Sequence, residues 1–206
     1  MGLYILSYGI DLQKIRQLLS SNDEEAFEAI IATEVFDNYA QQDFKGLLTT
    51  KEALRHLIFG ETYDAKSAHA YGYALIGICD YLGVDLGGAV EFKLGYVTDL
   101  VDQYLASDFS ISDVLSGEDL FGHDLNLGLP PVTDSPASGY LTNADLQVLY
   151  KELKHIQIDD QQVDELIDSD SEEDEEKGVA YEAIKSFKSR IDYCHQNQLQ
   201  LVSFCH

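Results

Sequence analysis

The sequence predicts an α+β fold, mostly α-helical, with about seven helices in a single domain over residues 1–206 and a small sheet made of the N- and C-terminal strands. Three observations predict it. Apolar residues recur at helical spacing through most of the chain. A β-forming run opens the chain and another closes it. With 206 residues, 45% of them hydrophobic, there is enough apolar material for a sizeable core.

The elements follow in order. Residues 3–8 combine Leu3, Tyr4, Ile5, Leu6 and Tyr8 ahead of Gly9, which predicts a strand. Asp11 then caps a helix with Leu12, Ile15, Leu18 and Leu19 on its apolar side. Ser20, Ser21 and Asn22 break it, and Asn22 with Glu25 opens a second helix that carries Phe27, Ile30, Ile31 and Val35 to about Tyr39. Thr49 and Glu52 form a capping box for a third, which ends at Gly60. The fourth runs from Ser67 to about Leu82, with Tyr71, Leu75, Ile78 and Leu82 as its core stripe. The fifth spans about Val97 to Leu105.

Residues 106–141 read as loop, because all three prolines and Gly117, Gly122, Gly128 and Gly139 lie there. Thr142 caps a sixth helix bearing Leu146, Leu149, Tyr150 and Leu153. Residues 159–176 read as an acidic loop. The last helix runs from about Glu173 to Gln196 on the stripe Ala180, Ile184, Phe187, Ile191 and Cys194. Leu199 to Phe204 closes the chain as a strand. A lone strand leaves its backbone groups unpaired, so the two ends are expected to pair with each other.

Charge excludes several partners. The chain holds 13 Lys and Arg against 37 Asp and Glu, a net charge of -24. Nucleic acid and anionic membranes require positive potential, so both are excluded as direct partners. No apolar stretch is long enough to span a bilayer, and the N-terminus lacks the basic start of a signal peptide. The odd count of three cysteines fits reduced thiols in a cytoplasm. Eleven of the 18 residues from Asp159 to Glu176 are acidic and none is basic. Three readings stand side by side for this run: a solvated loop, a cation site, or electrostatic attraction for a basic partner. The cation reading meets an obstacle. Asp168-Ser169-Asp170-Ser171-Glu172 opens like a calcium loop, but Glu173 and Val179 replace the Gly and Glu that such a loop needs.

Motifs for catalysis do not emerge. There is no G-x-S-x-G, no phosphate-binding glycine loop and no H-E-x-x-H. Cys194-His195 and Cys205-His206 are adjacent pairs whose side chains point to different faces, so no metal site is assigned to them. The segment His69-Ala70-Tyr71-Gly72-Tyr73-Ala74-Leu75 is more informative. A glycine inside a helix costs about 1 kcal/mol against alanine, which signals close approach of another element. His69 and Tyr73 share one face four residues apart, and tyrosine suits contacts that are both apolar and polar.

Together with Asp11-Leu12, Pro130-Pro131 ahead of Gly139-Tyr140-Leu141-Thr142, and the ending Leu201-Val202-Ser203-Phe204-x-His206, this segment resembles a family of small acidic bacterial proteins classed as a domain of unknown function. The resemblance runs over nearly the whole chain. It implies bacterial origin, a full-length domain, and importance for His69, Tyr73, Tyr140 and His206. It carries no activity, and the acidic run departs from the shorter connection of similar members.

The expectation is a non-enzymatic cytoplasmic interaction module, of immunity- or inhibitor-like kind, that binds a basic protein partner. The alternative is a small-ligand-binding protein or enzyme with a pocket around His69 and Tyr73, using Tyr71, Tyr140 and His206 as binding residues. A third is a structural or regulatory subunit whose acidity serves solubility. No catalytic residue, metal or cofactor is assigned, and no oligomeric state follows.

Overall fold

In a computed structural model that describes residues 3–41, 45–87, 93–112, 121–132 and 135–206, the two terminal strands lie side by side. β1 (Ile5–Ile10) pairs antiparallel with β4 (Gln200–Cys205), from Ile5 opposite Cys205 to Ile10 opposite Gln200. Two further strands flank them, which the sequence reading did not predict. β2 (Val84–Asp85) lies against β1, and β3 (Ala137–Leu141) against β4, giving the order β2-β1-β4-β3. β2 is too short to show a period of two. β3 sits among prolines and glycines, which hid its alternation.

Nine helices are present among the described residues, where about seven were expected. α1 (Leu12–Leu18) starts at Asp11, whose carboxylate accepts the Gln13 N–H. The predicted second helix is two. α2 (Glu24–Ile31) is capped by Asp23 rather than Asn22, and Thr33 caps α3 (Glu34–Ala40) by accepting the Phe36 N–H. Thr33 also donates to the Ile30 carbonyl at 3.0 Å, closing one helix while opening the next. α4 (Thr50–Phe59) has the expected capping box of Thr49 and Glu52, and Gly60 ends it at φ +67°. α5 (Ala68–Leu82) has eleven buried residues. α6 (Tyr96–Phe109) is longer than expected and α7 (Asn143–Leu153) begins at Thr142.

The acidic run is not a loop. Asp159 caps α8 (Asp160–Ile167), and Ser171 caps α9 (Glu172–Asn197). Acidic side chains in a first turn face the positive end of the helix dipole, so this stretch favours helix starts rather than opposing them. Val163 is the buried anchor of α8, and Ile167 lies on Gly178 of α9, where a Cβ would come within 2.7 Å of Ile167 Cγ1. The loop expected over 106–141 is likewise shortened, by the end of α6 and by β3. Gly117 of that segment lies outside the described residues.

The sheet separates two cores, because successive side chains point to opposite faces. Tyr8, Ile10, Val202 and Phe204 join the core of α1 to α5. Ile5, Leu141 and Leu201 join that of α6 to α9. Ser7 and Ser203 meet across the strands at 3.1 Å, and the buried Arg190 of α9 donates to Ser7 Oγ at 3.3 Å. Burial lowers the Arg190 guanidinium to about 10, and Asp85 opposes that shift.

Candidate functional site

A concavity lies on the α5 side, between α5, the edge of β3 and a strap over residues 121–132. It is a cleft of about 460 Å³, walled by Tyr71, Gly72 and Leu75 from α5, by Leu125 to Val132 of the strap, and by Ala137 and Ser138. Gly72 explains its floor. A Cβ there would come within 2.8 Å of Pro136 Cγ, so only glycine lets Pro136 seat on the helix. This is the close approach that a glycine inside the α5 pattern foretold. The strap is tied to the sheet where His123 and Tyr140 exchange backbone hydrogen bonds of 3.0 and 3.1 Å.

Tyr71 is fully buried and lines this cleft. Its hydroxyl oxygen accepts the Asp64 N–H at 2.9 Å and lies 2.9 Å from His56 Nδ1. The other ring nitrogen, Nε2, lies 3.4 Å from Glu61 Oε2. Burial raises the Tyr71 phenol, so it stays a neutral donor. His56, the residue that orients it, was missed by the sequence reading. The only available signal was its place in the last turn of α4.

The predicted binding residues do not converge on one site. Tyr73 stacks on Tyr39 with ring centroids 5.2 Å apart, and Tyr39 in turn lies 3.3 Å from His206 Nε2 through its hydroxyl. Burial and the Tyr73 phenol push the Tyr39 hydroxyl up to about 12, and burial lowers His206. Tyr73 and His206 thus meet through Tyr39. Tyr140 stands apart on β3, its ring 5.5 Å from that of His123. His123 Nε2 is 3.0 Å from Asp145 Oδ2, the carboxylate that also accepts the Thr142 N–H and hydroxyl. His69 is half-buried on α5. Of the predicted residues, only Tyr71 lines the cleft.

The second feature is an acidic face on the other side of the sheet. α8 and the first turn of α9 present Asp160, Asp164, Glu165 and Glu172 to Glu176. At its border Lys177 is held by Asp108 at 2.8 Å, and Tyr181 donates to the same carboxylate at 2.6 Å. These two hydrogen bonds, Lys177 first, hold the Asp108 carboxyl down at about 2. The three cysteines are unbridged and buried. Burial, more than the acidic field, pushes the Cys194 thiol up to about 12 and raises those of Cys79 and Cys205. Among the described residues, no three His, Cys, Asp or Glu side chains are placed to share a metal ion. No helix of the described residues is long and apolar enough to cross a membrane.

A family profile described as a domain of unknown function (DUF7691) matches residues 1–206. No curated protein and no solved structure matches the chain.

Proposed function

The chain belongs to that domain-of-unknown-function family along its length, and from this premise we propose that it is a non-enzymatic interaction module whose α8–α9 face binds a basic protein partner. One observation carries the reading. The eleven acidic residues from 159 to 176 sit on two packed helices, the cap of the first and the turn between them, not on a loose loop. Val163 and the Ile167–Gly178 contact fix their spacing. A preorganised patch of one sign steers an oppositely charged partner and loses less ordering entropy on binding than a flexible tail does. A reducing cytoplasmic setting goes with this reading, since the cysteines are unbridged.

The test compares two variants of equal charge change, using capped decalysine as the probe. One neutralises Glu172, Glu173, Asp174, Glu175 and Glu176 to their amides. The other neutralises Glu24, Glu25, Glu28, Glu34 and Asp37 on α2 and α3. The patch variant is expected to lose several-fold more affinity than the scattered one, with the difference shrinking as salt rises. Equal losses would reduce the acidity to bulk charge and end the proposal.

A further inference from the structure

β3 is an outer strand of the sheet, and part of its free edge opens into the cleft. Along an antiparallel strand, backbone groups turn alternately toward one neighbour and the other. Tyr140 turns its N–H and C=O away from β4 and exchanges both with His123. Ser138, two residues back, therefore turns its own pair the same way. The strap does not follow it. After His123 it bends through an Asx turn, in which Asp124 accepts the Asn126 N–H at 3.2 Å and Asn126 adopts φ +48°. Leu125, which the register would set opposite Ser138, forms no bridge with it. The next part of the wall includes Pro130 and Pro131, which have no N–H to offer. Among the described residues, no backbone hydrogen bond is recorded to the outward groups of Ser138.

An unpaired strand edge is a template for an extended chain. The surroundings specify what kind. Gly72 and Leu75 of α5 and Leu125, Leu127 and Leu129 of the strap line the cleft with Ser138, and Asn126 adds a polar group to this mixed wall. Among the described residues of the wall, Asp124 is the one carboxylate and none is a cation. The Tyr71 hydroxyl is already engaged by His56 and Asp64. We infer that the cleft binds a short, uncharged, extended peptide segment. It lies antiparallel to β3, exchanges two backbone hydrogen bonds with Ser138, and places an apolar side chain between α5 and the strap. The volume of about 460 Å³ accommodates one large side chain with its flanking backbone. This goes beyond the acidic face, which lies on the far side of the sheet and selects by charge.

The probe is the capped pentapeptide acetyl-Ser-Leu-Val-Leu-Ser-amide, titrated into isotope-labelled protein and followed by amide and methyl chemical shifts. Saturable shifts are expected at the Ser138 amide and the Leu75 and Leu127 methyls, unchanged by added salt. Ser138→Pro removes the outward N–H at an edge position where proline is tolerated. It is expected to weaken binding about tenfold, the worth of one backbone hydrogen bond. Should that variant melt early, the same loss is read from the ligand side, with a peptide N-methylated at its central valine against unaltered protein. Ser138→Ala, which keeps the backbone, is expected to bind as the parent does. Absence of saturable shifts at Ser138, or equal binding of the N-methylated peptide, overturns the inference. Either result leaves the decalysine comparison standing, because that probe reads charge on the opposite side.

Discussion

On one side of the sheet, Tyr8, Ile10, Val202 and Phe204 face five helices whose interior is aromatic and apolar. On the other, Ile5, Ser7, Leu201 and Ser203 face four helices and a buried arginine. The same alternating strands serve both. The first side is drawn largely from residues 1–85, which hold 13 acidic and 6 basic residues, and the second largely from 86–206, which hold 24 and 7. The difference teaches how a chain of net charge -24 keeps a core. α5 buries eleven of its 15 residues. α9 instead spreads nine buried residues over 26, and keeps its acidic first turn clear of the core. Length lets one helix be both wall and surface.

The largest expected effect tests whether the two sides are one unit. Deleting residues 197–206 removes β4, which lies between β1 and β3. Loss of the whole melting transition is expected by calorimetry. Survival of slow amide exchange in either helical layer would mean that the sides fold separately. Next come two matched glycine substitutions. Gly72→Ala drives a Cβ into Pro136 on the apolar side, and Gly178→Ala drives one into Ile167, with the Ile167 backbone N at 3.0 Å, on the acidic side. Each should cost ~1–3 kcal/mol in urea unfolding, as overpacking does. A cost near zero on one side only would identify the looser packing.

Smaller is the tie between α6 and α9. Asp108→Asn should cost on the order of 1 kcal/mol at neutral pH, discounted for partial exposure. The folded carboxyl sits at about 2, below its unfolded value. Its contribution is therefore complete above the unfolded value and fades as pH falls through about 2. Urea midpoints of parent and variant should converge there. Smallest is His206, whose imidazole burial lowers. The unfolded state takes up the proton first, so this residue's contribution is full above the ordinary histidine range and declines as pH falls. His206→Gln should flatten that decline by a few tenths of a kcal/mol, read from thermal midpoints against pH.

Much of this fold was legible. Helix starts at Asp11, Thr49 and Thr142 came from local side-chain-to-backbone bonds, which need no knowledge of the rest of the chain. Pairing of the ends followed from unsatisfied backbone groups. The helical nature of residues 160–167 was hidden because charge density masked a single buried anchor, Val163. Of the site, Tyr71 and Gly72 were legible as helix residues with a reason to meet something. His56, Pro136 and Ser138 were not. Their roles depend on α4, a turn and a strand edge arriving from 16, 64 and 66 positions away from Gly72, and no local pattern encodes such meetings.

The central place of β4 also sets an order of assembly. β1 leaves the ribosome nearly two hundred residues ahead of its full-length neighbour, since Ile5 is opposite Cys205. Helix contacts such as α4 with α5 close over short loops and form at once, while the sheet bears the entropy of a very long one. During synthesis the inner edge of β1 and the apolar surfaces on both sides of it stand uncovered. Between the making of β1 and of β4 the nascent chain is thus a set of helices holding an open strand, and β4 acts as the keystone.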